Sequence, residues 1–263
     1  MESENINIPT VADLVSRGEK PEVLFWVGCA GSFDARYKKV TQSFAKLMQK
    51  ANIDFRILGA EEKCNGDTAR RLGNEYLAQM MIKENVETLN NYGVKKIVTA
   101  CPHCYHSLKN EYPQFGGNFE VIHHSQLIDK ILDEEKIELK QSADQKEKVT
   151  YHDSCYLGRY NNVYDSPRNS LNRVSSIELK EMNRKKSKGF CCGAGGGRMF
   201  LEDEEGGRIN VARTEEAMST GAETVASACP FCMTMMTDGI KHFEKSEEIA
   251  VKDIAEIILE NSK

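Results

Sequence analysis

The chain has 263 residues, 40% hydrophobic and 29% charged, a composition typical of globular proteins with one large or two medium domains. Its 35 Lys and Arg residues against 40 Asp and Glu residues give a net charge of −5, which does not favour binding to nucleic acid or an anionic membrane. The longest apolar run, Val23–Ala30, is too short to span a bilayer, and the polar first ten residues lack signal-peptide features; we therefore expect a cytoplasmic protein without direct membrane insertion.

Predicted strands and helices alternate along the chain. Apolar and β-branched runs indicate strands at 23–28, 54–58, 95–100, 119–122, 148–152, 176–180 and 223–227. Helical patterns between them cover 37–51, 68–92, 102–111, 125–135, 208–220 and 230–243. This alternation is typical of parallel βαβ units with helices on both faces of the sheet. The sequence therefore predicts an α/β fold.

An internal repeat is visible in the cysteine spacing. Cys29, Cys64, Cys101 and Cys104 are followed after 126, 127, 128 and 128 residues by Cys155, Cys191, Cys229 and Cys232. The ninth cysteine, Cys192, has Asn65 as its equivalent. We therefore predict two tandem pseudo-symmetric units, each a small parallel sheet flanked by helices. Their bounds are 22–140 and 148–263, after an N-terminal extension over 1–21. The boundary lies near 145, in the charged linker 133–148.

The cysteines are spaced for metal binding. Cys101 and Cys229 each open a Cys-Pro-x-Cys segment at the start of a predicted helix, where the helix N-terminus lowers thiol pKa values and proline costs little. Cys29, Cys101, Cys155 and Cys229 all follow predicted strands, at the sheet edge where sites in parallel folds gather. Disulfides are disfavoured in a reducing compartment, and a thioredoxin-like dithiol needs only one Cys-x-x-Cys segment and no further cysteines, so neither accounts for this set. Thiolate cages select zinc or iron–sulfur clusters, so all nine cysteines are candidate metal ligands.

The second half carries one thiolate more than a cubane or a tetrahedral zinc site needs. The adjacent Cys191 and Cys192 do not easily bind one small ion together, whereas an irregular multi-iron cluster can use both. The glycine-rich segment 193–197 allows the backbone to approach that site and offer N–H donors to sulfur.

The pattern of Cys155, the Cys191-Cys192-Gly193 run and the Cys229-x-x-Cys232 pair resembles the cysteine-rich CCG domain. This domain is duplicated in the B or D subunit of heterodisulfide reductase. It also occurs in iron–sulfur subunits of glycolate oxidase and anaerobic glycerol-3-phosphate dehydrogenase, and in the lactate-utilisation protein A family. The resemblance covers about residues 22–258 and implies two α/β domains around a pseudo-twofold axis.

The resemblance also implies site residues. The cofactor-binding set becomes Cys155, Cys191, Cys192, Cys229 and Cys232, which in heterodisulfide reductase hold a non-cubane [4Fe–4S] cluster, and Cys191 and Cys192 become the candidate catalytic residues. The first half departs from this pattern, because Asn65 stands where the family often has its second cysteine. Its metal ligands Cys29, Cys64, Cys101 and Cys104 are expected to hold a cubane [4Fe–4S] cluster or zinc, with Asn65 a lost ligand rather than a remote ligand or hydrogen-bond donor.

The function implied is that of an iron–sulfur electron-transfer or oxidoreductase subunit. The first 28 residues contain no cysteine, so the ferredoxin-like segment often present in the family is expected on a separate partner, either a ferredoxin-like or a flavin-bearing subunit. Two alternatives remain open: a zinc-stabilised, non-redox assembly module, and a lactate- or glycolate-utilisation oxidoreductase subunit.

Other polar residues lie close to the cysteines in sequence. His152 and Asp153 precede Cys155 and have either a proton-relay or a structural role. His103 and His106, in and beside the first Cys-x-x-Cys segment, are expected at the surface rather than as metal ligands.

Overall fold

The fold consists of alternating strands and helices, as seen in a computed structural model that describes residues 8–141, 146–201 and 208–263. The strands in these ranges are β1 Val23–Trp26, β2 Phe55–Arg56, β3 Lys96–Thr99, β4 Glu120–His123, β5 Glu147–Tyr151, β6 Ile177–Leu179, β7 Thr224–Ser227 and β8 Ala250–Asp253. The α-helices in the same ranges are α1 Val11–Val15, α2 Gly28–Phe33, α3 Ala35–Lys50, α4 Asp67–Arg71, α5 Glu75–Asn91, α6 Pro102–His106, α7 His124–Asp133, α8 Asp165–Asn172, α9 Ile209–Met218, α10 Pro230–His242 and α11 Ile254–Glu260.

The strands form two four-stranded parallel sheets with the same topology. Their strand orders are β2-β1-β3-β4 and β6-β5-β7-β8. The central pairs also match in register, with Phe25 opposite Val98 in the first sheet and the equivalent Tyr151 opposite Ala226 in the second. Helices flank both sheets. The predicted α/β class, with two small parallel sheets in tandem, is confirmed. The predicted boundary near residue 145 and residues 1–7 of the predicted extension lie outside the described residues.

The structure contains elements that the sequence analysis did not predict. The sequence analysis missed the edge strand β8. This strand is only partly buried, and its sequence lacks the apolar run that marks the inner strands. It occupies the same place in the second sheet as β4 in the first. The single helix predicted over 68–92 is two helices, because Gly73 has a φ of +88° and the Asn74 side chain accepts the Leu77 N–H in a new N-cap. The helix predicted over 102–111 ends as an α-helix at His106 and continues as a short π-helix over Ser107–Glu111.

The two sheet units pack against each other through their helices. Helix α3 contacts α11, and α7 contacts α8. His124 Nε2 and Asp253 Oδ1 are 2.8 Å apart across this junction, and both side chains are completely buried. At the edge, Arg36 pairs with Glu256 at 2.6 Å. Across the described ranges, no helix combines the length and the apolar character that a membrane span requires.

Candidate metal centre

The four cysteines of the first unit approach one another at the carboxyl end of the first sheet. Cys29 lies in the first turn of α2, directly after β1, and Cys64 lies in the loop before α4. Their thiols are hydrogen-bonded to each other, which raises the pKa of Cys29 and lowers the pKa of Cys64 to about 6. Cys101 and Cys104, at the start of α6, form a second hydrogen-bonded pair. We call this group the first site.

The five cysteines of the second unit are grouped so that each thiol interacts with at least one other. Cys191 hydrogen-bonds to both Cys155 and Cys192, and these two bonds lower its pKa. Cys192 Sγ lies 3.3 Å from Cys232 Sγ, and Cys232 hydrogen-bonds to Cys229. The Gly193 N–H donates to Cys191 Sγ at 3.2 Å. We call this group the second site. The five sulfurs that the sequence analysis grouped are therefore adjacent, with Cys192 among them.

Glycines keep side chains away from both sites. Gly66 and Gly193, at equivalent positions, have φ values of +88° and +95°, a left-handed backbone conformation that other residues adopt only with strain. A Cβ atom on Gly28, beside Cys29, would lie 3.2 Å from Cys104 Sγ. Thiols without disulfide partners, converging on glycine-lined loops, form the soft, anionic donor set that suits iron–sulfur clusters or zinc. The residues present therefore fit such a group.

Asn65 closes the loop of the first site with its own side chain. Its Oδ1 accepts the backbone N–H of Asp67 at 3.1 Å, while its Nδ2 is buried and has no partner among the described residues. The Oδ1 atom, the better metal ligand of the amide, is thus already engaged in a turn. Cys192, at the equivalent position of the second site, instead lies in sulfur contact with Cys232.

Glu62 is a residue of the first site that the sequence analysis missed. Its carboxylate accepts the backbone N–H groups of Val27, at 2.9 Å, and Gly28, and so ties the Cys29 turn to the Cys64 loop. Burial raises the pKa of Glu62 to about 7 even though both N–H donors oppose that shift. A lone glutamate two residues before a cysteine gave no signal of this role.

His103 is buried, so its predicted surface position is wrong. Its Nδ1 lies 2.8 Å from Asp67 Oδ2, and the ring also hydrogen-bonds to Cys229 of the second site. Burial alone would lower the pKa of His103, but the bonds to Asp67 and Cys229 outweigh it and raise this pKa to about 10. His103 thus connects the loop of the first site to a cysteine of the second, a contact that exists only because the two units pack together.

Asp153 has a structural environment rather than that of a proton relay. It forms a buried bidentate pair with Arg168, both bonds being 2.8 Å, and it accepts the Lys186 N–H at 2.7 Å. Burial opposes ionisation, but the bonds from Arg168 and Lys186 keep its pKa below the usual value. These bonds hold together β5 and the segment that leads to Cys191.

An open groove lies beside Cys29, where the two units meet. Its volume is about 450 Å³. The first unit contributes the exposed Cys29 thiol, Ala30 and Phe33, and the second unit contributes Phe231 and Met233 from α10. Most of the lining is apolar, and Phe33 is 84% exposed.

The pseudo-symmetric equivalent of this groove is filled. His103 stands at the position equivalent to Phe231, and Tyr156 at the position equivalent to Ala30. Their rings stack with centroids 3.8 Å apart at an interplanar angle of 22°. Asn110 and Asn161 hydrogen-bond nearby at 2.8 Å. The molecule therefore has an open groove beside the first site and a packed junction beside the second.

Comparison with known proteins agrees with this arrangement. The model of the CCG family, described as "Cysteine-rich domain", matches residues 23–109 and 149–237. "Probable iron-sulfur-binding oxidoreductase FadF" of Bacillus subtilis is 45% identical over 99% of this chain and 37% of its own length. "EtfAB:quinone oxidoreductase" of Syntrophomonas wolfei is 49% identical over 92% of this chain and 34% of its own. The D subunit of "Dihydromethanophenazine:CoB--CoM heterodisulfide reductase" of Methanosarcina barkeri is 32% identical over 92% of this chain and 59% of its own.

These matches test the predicted family resemblance and the predicted iron–sulfur cofactor. The predicted resemblance to heterodisulfide reductase-like iron–sulfur oxidoreductases is confirmed. The iron–sulfur names of the relatives, together with the converging thiols, support an iron–sulfur cluster as the cofactor of this chain. The chain spans between about a third and three-fifths of the length of these relatives.

Proposed function

This chain belongs to the CCG cysteine-rich domain family, and from that premise we propose that it is an iron–sulfur electron-transfer or oxidoreductase subunit that works with a separate redox partner. The observation that carries the proposal is the grouping of five cysteines at the second site, where Cys192 Sγ lies 3.3 Å from Cys232 Sγ, accompanied by four more cysteines at the first. Oxidoreductases among the relatives that match over nearly all of this chain support it.

At the second site, we assign Cys155, Cys191, Cys192, Cys229 and Cys232 as ligands of a [4Fe–4S] cluster of the non-cubane kind. When bound, such a cluster supplies reversible one-electron transfer. Cys191 and Cys192 are the proposed catalytic residues. Cys191 interacts with the thiols of Cys155 and Cys192, and Cys192 is in contact with Cys232. The Gly193 N–H, which donates to Cys191 Sγ, orients that sulfur and offsets part of its charge.

At the first site, we assign Cys29, Cys64, Cys101 and Cys104 as ligands of a cubane [4Fe–4S] cluster that acts as a relay. Four thiolates also satisfy tetrahedral zinc, so a zinc site is the second candidate here. Asn65 is not among the proposed ligands, because its Oδ1 already accepts from the Asp67 N–H and the Cys64 thiol and an amide oxygen competes poorly with thiolates for iron or zinc.

The proposed partner is a ferredoxin-like or flavin-bearing redox subunit. The names of two relatives, "EtfAB:quinone oxidoreductase" and the D subunit of a heterodisulfide reductase, support electron exchange with other redox proteins. The exposed thiol of Cys29 makes the first site the more accessible of the two. Heterodisulfide reductase-like specificity is a narrower proposal, supported by 32% identity. The cytoplasmic location stays a prediction, which fractionation of cells would test.

The test is metal and sulfide analysis of protein purified without air, combined with EPR before and after reduction. We expect iron and acid-labile sulfide in equal amounts and two EPR signals of different shape. Cys192→Ser should alter one signal and Cys104→Ser the other, because these cysteines belong to different sites. Protein that contains stoichiometric zinc and no iron or sulfide would refute the electron-transfer function and favour the zinc-stabilised module.

A further inference from the structure

We infer that, once the second site holds its cluster, His152 donates a hydrogen bond from its Nε2–H to a sulfur of that site, and that Arg213 holds the ring in the orientation and tautomer that this bond requires. The inference rests on the proposed iron–sulfur function. His152 follows β5 and is completely buried. One of its ring nitrogens and the Sγ atoms of Cys192 and Cys232 all lie within 4.8 Å of one another.

Arg213 determines which nitrogen of His152 carries the proton. Its Nε lies 3.0 Å from His152 Nδ1. A guanidinium has only donors, so Nδ1 must accept this bond with its lone pair. The proton of the ring is then on Nε2. This atom is buried and has no hydrogen-bond partner within the described ranges, and an unpaired buried N–H is costly.

Arg213 is itself firmly held. Its side chain is completely buried on α9. The Nη1 group donates to the Arg184 carbonyl at 3.0 Å and to Glu216 Oε2 at 2.8 Å. The guanidinium therefore cannot rotate away from His152 without breaking two further bonds.

The same contacts argue against His152 as a metal ligand. A histidine bound to metal through one nitrogen almost always donates the N–H of its other nitrogen to a carboxylate, carbonyl or water. Here the neighbour of Nδ1 is a donor, so the arrangement is reversed. Although His152, Cys192 and Cys232 are close enough to share an ion, the imidazole has no free lone pair on Nε2 to offer it.

The first unit supports this interpretation independently. The residue equivalent to His152 is Trp26, which lies three residues before Cys29 as His152 lies three residues before Cys155. Trp26 is completely buried, and its Nε1–H has no partner among the residues that the structure describes. An indole N–H is a donor only and cannot bind a metal. The property shared by the two equivalent residues is thus a buried ring N–H.

Such a bond affects the redox behaviour of the cluster. A donor to sulfur withdraws negative charge and stabilises the reduced state, which raises the reduction potential. His152 is therefore a residue that tunes the second site, and Arg213 is a positioning residue that acts through it.

The test compares His152→Leu, which removes the N–H, with His152→Gln, which keeps an N–H donor. Reduction potentials are measured by EPR-monitored titration of air-free protein, with iron content determined for each variant. For His152→Leu we expect unchanged iron and a reduction equilibrium at the second site shifted at least tenfold toward the oxidised form, about 59 mV for one electron. His152→Gln should recover part of this shift. The control Trp26→Phe removes the equivalent buried N–H of the first unit and should leave the potential of the second site unchanged.

A measurement on the wild-type protein keeps the inference testable if a variant does not fold. Protein labelled with ¹⁵N-histidine should show by pulsed EPR only weak nitrogen coupling at the second site, and this coupling should persist in His103→Gln, which removes the other ring that hydrogen-bonds to a cysteine of that site. Strong nitrogen coupling typical of a direct ligand would overturn the inference, as would an unchanged potential in iron-loaded His152→Leu. Absence of iron from the wild-type protein would instead refute the proposed function.

Discussion

Removing the Asp253 carboxylate should destabilise the junction between the two units. In Asp253→Ala, His124 Nε2 loses its 2.8 Å partner in a completely buried position, and the Ala255 N–H loses the cap that Oδ1 provides at 2.9 Å. An unpaired buried polar group costs about 1–3 kcal/mol, and loss of an N-cap costs about 1 kcal/mol. The expected loss in free energy of unfolding is therefore about 2–4 kcal/mol. For a chain of this size, this corresponds to a fall in Tm of about 5–15 °C.

Two further variants separate this effect from a general loss of charge. Asp253→Asn keeps an oxygen acceptor for both bonds, so its Tm should fall less than that of Asp253→Ala. Asp133→Ala removes an exposed ion pair with Arg173 that also joins the two units; exposed pairs contribute about 0–1 kcal/mol, so its Tm should change by less than about 4 °C. The assay is calorimetry of air-free protein with matched iron content. If Asp253→Ala melts no lower than Asp133→Ala, the buried pair does not hold the units together.

Three other predictions concern the sites and the packing. Cys192→Ser should alter the EPR signal of the second site so that its distinctive features are lost, and leave metal at the first; loss of both signals would contradict two separate sites. Asn65→Cys should make the signal of the first site resemble that of the second, and an unchanged spectrum would show that Asn65 is a bystander. Gly239→Ala should lower the free energy of unfolding by about 1–3 kcal/mol in calorimetry, because its Cβ would lie 2.0 Å from Thr214 Oγ1. Adding Thr214→Ala should restore part of that loss, and a stable single variant would refute the clash.

The cysteine spacing predicted much of the architecture because each repeated cysteine lies at a fixed point of a repeated βα unit. Cys29 and Cys155 follow the central strands of their sheets, and Cys101 and Cys229 open α6 and α10. Their nearly constant offset, 126 and 128 residues, therefore reflects equivalent places in two parallel sheets. Adding the same offset to the position of β4 leads close to β8, the edge strand that the sequence analysis missed.

The remaining features depend on contacts between segments that are distant in sequence. The bond from His103 to Cys229 joins the two units, and Arg213 reaches His152 from a helix 61 residues further along the chain. No local pattern marks either residue, because a buried arginine or histidine is specified by the groups that surround it in the folded chain. Only the packed structure therefore reveals the hydrogen bonds around the cysteines.

The stacked rings of His103 and Tyr156 make the surfaces of the two repeated units different. A duplicated unit has two equivalent positions for a cleft, one beside Cys29 and one beside Cys155. The stack fills one cleft and leaves the other, beside Cys29, available. The duplicated fold is therefore asymmetric at its surface: of these two equivalent positions, only the one beside Cys29 is open.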